Sequence, residues 1–184
     1  MQLFSLLIRM ISEGSFRIMK LGAAEMKIPL EELIPEYQNH LYAAAFGICR
    51  NQCDAEDVVQ EVFLRYYLGK KEFDSKEHIR AWLLRVTVNL ARDKVRSFWN
   101  RNKVDWEEYM DSVPFESPQD RDLFGAVMKL PEKYRAVLHL YYYEDYPVQE
   151  IARILSKKEN TIKSCLYRGR RLLKDMLEEE WEDD

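Results

Sequence analysis

Apolar residues recur every three or four positions along most of this chain, and no stretch sustains the two-residue alternation of a strand. Over 29–48 the stripe Leu30, Leu33, Ile34, Tyr37, Leu41, Ala44, Ala45 and Ile48 predicts a first helix. Residues 51–53 read as a turn, with Asp54 as the expected N-cap of a second helix that buries Val58, Val62, Phe63 and Tyr66. That helix leaves Asp57, Gln60, Glu61 and Arg65 toward solvent. After a loop over 69–75, a long third helix begins near Lys76, with Trp82, Val86, Leu90 and Val95 expected to face inward. Residues 102–119 show no apolar period, contain Pro114 and Pro118, and read as a linker. Two further helices are expected over 120–129 and 131–142, the second with Pro131 and Glu132 in its first turn.

The stretch 147–174 has the clearest plan. Pro147 suits a first helical position, and Ile151, Ile154 and Leu155 give a short helix one apolar face. After a polar break, Ile162, Leu166, Gly169 and Leu173 line one side of a second helix. Its other side carries Asn160, Ser164, Tyr167, Arg168 and Arg171, with Lys163 and Lys174 flanking it. Two short helices with such a basic second member describe a helix-turn-helix. An ordinary helical hairpin with a solvated face has the same period. The one-sided charge beside small polar groups favours DNA, because Arg and Lys meet phosphates while Asn, Ser and Arg reach base edges. On the third helix Arg85, Asn89, Arg92, Lys94 and Arg96 make a basic face interleaved with amide and aromatic groups, a mixture suited to phosphates and stacked single-stranded bases; a core helix with a solvated rim has the same pattern.

Charge changes the picture once it is divided. The net charge of −4 over 184 residues conceals +2 over 27–103 and +4 over 120–177. The acids gather in 104–119 and in the tail 178–184, with five and six and no base in either. Few Gly and Pro and a large apolar fraction point to an all-α protein of two small helical domains joined by an acidic linker, the C-terminal one a helix-turn-helix. Residues 1–26 have uncertain status: a flexible or mis-assigned leader, or a helix docked on the body. The apolar run near their start is broken by Arg9 and too short to span a bilayer. Cys49, Cys53 and Cys165 fit a reducing cytoplasm, and with His40 as the only nearby further ligand they do not make a metal site. No cofactor is expected, and no nucleophile, Gly-rich loop or metal-ligand spacing suggests an enzyme.

Three motifs in order resemble those of bacterial RNA polymerase sigma factors, specifically the extracytoplasmic-function (ECF) branch. The run Asp54-Ala-Glu-Asp-Val-Val-Gln-Glu-Val-Phe looks like the family's polymerase-binding helix. Residues 80–96 resemble its −10 promoter helix. Leu130-Pro-Glu-Lys-Tyr-Arg-Ala-Val-Leu, with Glu150-Ile-Ala-Arg-Ile-Leu and Thr161-Ile-Lys-Ser, is similar to its −35-binding domain. The resemblance implies a non-catalytic specificity subunit. Asp57, Gln60 and Glu61 would contact the β′ clamp helices of core RNA polymerase, and the C-terminal domain its β flap. Arg80, Trp82, Arg85, Asn89, Arg92 and Arg96 would hold the melted −10 strand of promoter DNA. Asn160, Thr161, Lys163, Ser164, Tyr167, Arg168 and Arg171 would read the −35 duplex, and an anti-sigma factor is expected as a further partner. The chain departs from the family at Asn160 (usually Gly), Cys165 (usually Arg) and Ser156 (usually Gly), so no promoter sequence is transferable. Ser at 156 is tolerable if its φ is not left-handed. The rival is a stand-alone helix-turn-helix regulator with a helical sensing or dimerising domain, which leaves the Asp57–Glu61 face unexplained.

Overall fold

Helix α1 (Leu30–Cys49) buries all eight positions of its predicted stripe, and Phe46 besides. The computed structural model describes residues 27–98 and 118–182, in which helices are joined by turns and short loops and no strand occurs. Arg50, left-handed at φ 54, ends α1 and returns its N–H to the Phe46 carbonyl. Helix α2 (Gln52–Leu68) then runs back along α1. Its N-cap is Asn51, whose side chain accepts the Asp54 N–H at 2.9 Å, so the expected cap Asp54 sits in the first turn instead. Val58, Val62, Phe63 and Tyr66 are buried as predicted, and Tyr66 also exchanges hydrogen bonds with the Ile28 backbone.

Helix α3 (Lys76–Phe98) packs across both. Its inward phase differs from the expected one. Ile79, Leu83, Leu84, Val88 and Ala91 are buried, while Trp82, Val86, Leu90 and Val95 are only partly so. Positions four apart drift about 40° per step on a 3.6-residue helix, which carries a 4-4 stripe off the buried centre.

The remaining elements are α4 (Pro118–Lys129), α5 (Glu132–Leu138), α6 (Val148–Ile154) and α7 (Glu159–Glu182). Helix α5 continues into a π-helical turn, His139–Tyr143. Gly169 lets α7 close on α5: a Cβ there would meet Leu138 Cδ1 at 3.1 Å and Tyr134 Cβ at 3.3 Å. Between α6 and α7, Ser156 takes φ 51. The condition for tolerating serine there is not met, and left-handed backbone costs a non-glycine residue about 1 kcal/mol. The expected solvated or disordered tail is helical in its backbone as far as Glu182. The leader 1–26 and the linker up to 117 lie outside the described residues.

The N-terminal helices α1–α3 and the C-terminal helices α4–α7 meet along a joint, and their buried residues form one cluster. Phe46 of α1 stacks on Phe124 of α4 with ring centroids 6.5 Å apart. Arg135 of α5 is buried and donates to the carbonyls of Gly47 in α1 and of Met128 and Leu130. Arg50 reaches the same Leu130 carbonyl at 3.0 Å. Burial, then repulsion from Arg50, brings the Arg135 guanidinium down to about 10.

Candidate polymerase and nucleic-acid interfaces

On α2, residues 57, 60, 61, 64 and 68 recur at helical spacing and share the face turned from the core. Asp57 is exposed, Gln60 and Glu61 are half-buried, and Leu64, Tyr67 and Leu68 extend the face with exposed apolar surface. Glu61 accepts from Arg65 one turn on at 2.7 Å. Asp57 accepts from Lys94 of α3 at 2.7 Å, and Asp54 is 3.2 Å from the same ammonium. Burial lowers the Lys94 pKa, but these two carboxylates outweigh it and the net shift is upward. The three polar residues singled out from sequence therefore stand together, in a surface that is apolar toward its C-terminal end.

The α3 residues do not form one site. At about 100° per residue, Arg85, Asn89, Arg92 and Arg96 share a flank, with Trp82 beside them, whereas Arg80 lies roughly opposite Asn89. Asn89 and Arg96 are exposed, and Arg96 lies 3.9 Å from Asp93. Trp82 is half-buried against Phe73 and Tyr66, at 5.6 and 6.2 Å between centroids, with Lys71 over its ring. Arg85 and Arg92 turn to the C-terminal helices: Arg85 Nη2 donates to Ser156 Oγ at 3.0 Å and Arg92 Nε to Glu132 Oε1 at 2.7 Å.

Arg80 enters the joint. Its Nη2 donates to Glu144 Oε2 at 2.7 Å and to the Glu144 carbonyl at 2.9 Å, and its guanidinium lies 5.0 Å from the centre of the Tyr146 ring. The Glu144 side chain is wholly buried. It also faces His40 Nδ1 of α1 at 3.0 Å and His139 Nε2 at 3.4 Å, the latter within ion-pair range but outside hydrogen-bond geometry. Burial pushes the Glu144 carboxyl up, yet the contacts with His139, Arg80 and His40 prevail and hold it at about 2. Local pattern could not show the contacts across the joint: 40 residues separate Arg92 from Glu132, 71 separate Arg85 from Ser156, and 64 and 104 separate Glu144 from Arg80 and His40.

The α7 face is built as its period requires. Ile162, Leu166 and Gly169 are buried, and Asn160, Thr161, Lys163, Ser164, Tyr167, Arg168 and Arg171 are all exposed. Ser164 donates to the Asn160 carbonyl at 2.8 Å. Arg170 lies 5.4 Å from the ring centres of Tyr141 and Tyr142. Gln149, Arg153, Lys157 and Lys158 line an open groove at the helix-turn-helix. Cys165 is half-buried at the core edge. Cys49 is a core thiol pushed up to about 12 by burial and by Asp54.

Two family models match in the same order. Sigma-70 region 2 covers residues 33–101 and Sigma-70, region 4 covers 121–173. RNA polymerase sigma factor SigV of Bacillus subtilis is 30% identical over 84% of this chain and 94% of its own length. ECF RNA polymerase sigma factor SigL of Mycobacterium tuberculosis is 31% identical over 89% of this chain and 96% of its own. The fold matches sigma factor RpoE of Bartonella quintana, solved with the anti-sigma factor NepR, at a TM-score of 0.63 and 20% identity, covering 81% of this chain and 96% of that one. The structure of CnrH with the cytosolic domain of CnrY matches at a TM-score of 0.59 and 23% identity, covering 81% and 87%. With both regions matched in order and relatives covered almost end to end, the chain belongs to the extracytoplasmic-function sigma factors of RNA polymerase.

Proposed function

We propose that this chain binds core RNA polymerase in the cytoplasm, directs it to promoters with −10 and −35 elements, and helps part the strands at −10. The observation that carries the reading is the presence of two outward faces of different chemistry on separate helix groups. One is the acidic and amide face of α2; the other is the basic face of a formed helix-turn-helix. Asp57, Gln60 and Glu61 meet the β′ clamp helices, with Leu64 and Leu68 supplying apolar contact, and the C-terminal helices meet the β flap.

On DNA, Lys163, Arg168 and Arg171 supply phosphate and base contacts in the −35 major groove, with Asn160, Thr161, Ser164 and Tyr167 beside them. Arg85, Asn89, Arg92 and Arg96 hold the −10 strand, and Trp82 stands at the edge of that flank. Arg80 is placed apart from them, on the far side of α3. Capture of unpaired bases lowers the cost of opening without any covalent step, so the role is one of binding. One structural relative was solved with an anti-sigma factor and another with the cytosolic domain of a second protein, which supports a protein inhibitor for this chain as well.

Run-off transcription with reconstituted holoenzyme, on promoters selected from random DNA, tests the reading. A discrete product is expected with the wild-type chain, and Asp57→Ala with Gln60→Ala should weaken core binding by about tenfold, as truncating central interface residues does. Promoter-independent transcription, with core binding untouched by those substitutions, overturns it.

A further inference from the structure

We propose that Lys94 is a positioning residue for the polymerase-binding surface: its ammonium, shared between Asp54 and Asp57, fixes the Asp57 carboxylate in the orientation that core polymerase meets. This deepens the function proposed above and rests on it. Lys94 belongs to α3, whose arginines are assigned to promoter DNA, and by residue type it counts with their basic face. The helix places it elsewhere. At about 100° per residue Lys94 stands roughly opposite Arg85 and Arg96, and it reaches the start of α2 instead. Its Nζ donates to Asp57 Oδ2 at 2.7 Å and lies 3.2 Å from Asp54 Oδ1. The side chains of Lys94 and Asp54 are sheltered, at 28% and 20% exposure, whereas Asp57 stands out from them at 65%. Among the described residues only Oδ2 of Asp57 is bonded, which leaves its other oxygen to accept from a partner.

Asp54 and Asp57 lie three residues apart on one helix, and like charges at that spacing repel. Without a cation between them the exposed Asp57 side chain samples several rotamers, all but one of which must be given up on binding. Ordering it before the partner arrives removes that cost. A purely structural tie would be redundant here. Val58, Val59 and Val62 already hold α2 against the core, and an ion pair this exposed adds little to stability. Two carboxylates around one ammonium keep one net negative charge at the surface, suited to a guanidinium or ammonium on the polymerase. The next acid of the face is steadied in the same way, with Glu61 accepting from Arg65 at 2.7 Å. A phosphate contact to the −10 strand would need Lys94 on the flank of Asn89 and Arg92, which the helical phase denies it.

A double-mutant cycle on the full-length chain tests this, read as equilibrium affinity for core RNA polymerase. Lys94→Met keeps the stem of the side chain and loses its charge. It should weaken core binding about two- to tenfold, the cost of one side chain left unordered. Lys94→Arg can bridge the same carboxylates and should recover most of the loss. In an Asp57→Ala background Lys94→Met should cost nothing further, because no carboxylate is left there to orient. Once saturated with core, the Lys94→Met holoenzyme should hold a single strand bearing the −10 segment of a selected promoter as tightly as the wild type. Should Lys94→Met melt well below the wild type, Lys94→Gln takes its place in the cycle. Equal losses in both backgrounds would mark a general packing defect and overturn the inference. Normal core affinity in Lys94→Met, or weakened −10 strand binding at full core occupancy, overturns it as well. If the wild-type chain does not bind core, the proposed function falls and this inference with it; the other three outcomes remove the role of Lys94 alone.

Discussion

Helices α3 and α7 carry nearly the same chemistry on their outer faces but stand in opposite states. Arg85, itself exposed, and the half-buried Arg92 of α3 are bonded across the joint, whereas Lys163, Arg168 and Arg171 of α7 pair with no described residue. The cause lies in what packs opposite. Helix α7 seats its apolar side on α5 through Gly169, which leaves its far side clear. Helix α3 is enclosed by α1 and α2 on one side and by α6 and the residues around Glu132 on its flank. Residue types tell which ligand a face can hold. Its availability depends on the partners that tertiary structure brings.

The contrast breaks most sharply at Glu144. Replacing it by Gln leaves Arg80 without its buried carboxylate, and because Arg80 is itself 33% exposed the loss should fall below the ~3–5 kcal/mol of a fully buried pair. A calorimetric scan should show a fall in Tm of several degrees or more, and an unchanged Tm would mean the joint does not hold the lobes. Acid should weaken the same contact in the wild type. Free carboxyls of this type titrate near 4.5, and Glu144 is held at about 2 by His139, Arg80 and His40, with Tyr146 and Tyr37 also near this cluster. A depressed acid contributes stability that is complete above about pH 4.5 and is lost as pH falls toward 2. Fluorescence transfer across the joint should decline over that window in the wild type and stay flat in Glu144→Gln.

The free face should respond differently. Arg168→Ala is expected to weaken holoenzyme binding at the −35 duplex by about 1–3 kcal/mol if it meets a base, with no change in Tm. If it meets only phosphate, the salt slope falls by about 0.9 and all sequences weaken alike. The smallest effect is expected at the turn. Ser156→Gly relieves left-handed backbone but loosens the unfolded chain and removes the bond from Arg85, so stability should rise by about 1 kcal/mol or less in urea titration. A clear loss would show that the Arg85 contact outweighs the strain.

Much of this molecule could be read before its fold was known, where the signal was local. The α1 stripe, the buried side of α2 and the helix-turn-helix all follow from period, and each is packed as its period requires. The α3 phase was missed because that helix is covered on more than one side, which blurs a single stripe. Asp54 and Asn51 are both good caps three residues apart, and only the bond to the Asp54 N–H separates them. Arg80 was grouped with Asn89 through the family resemblance, although the helix sets them on opposite sides. Glu144 gave no sign at all. In sequence it is one acid between a tyrosine run and another acid, and its three partners are supplied by α1, α3 and the π turn.

That π turn has a consequence for the joint. Its carbonyl at His139 receives the N–H of Glu144, five residues on, at 3.1 Å, so the backbone accommodates an extra residue per turn there. In a regular α-helix the same carboxylate would be swung by a large part of a turn and would miss the crevice between the lobes. Deleting one residue of this turn is therefore expected to withdraw the carboxylate from Arg80 and His40 while the basic face of α7 stays formed, which a lower Tm with unchanged −35 duplex binding by holoenzyme would report.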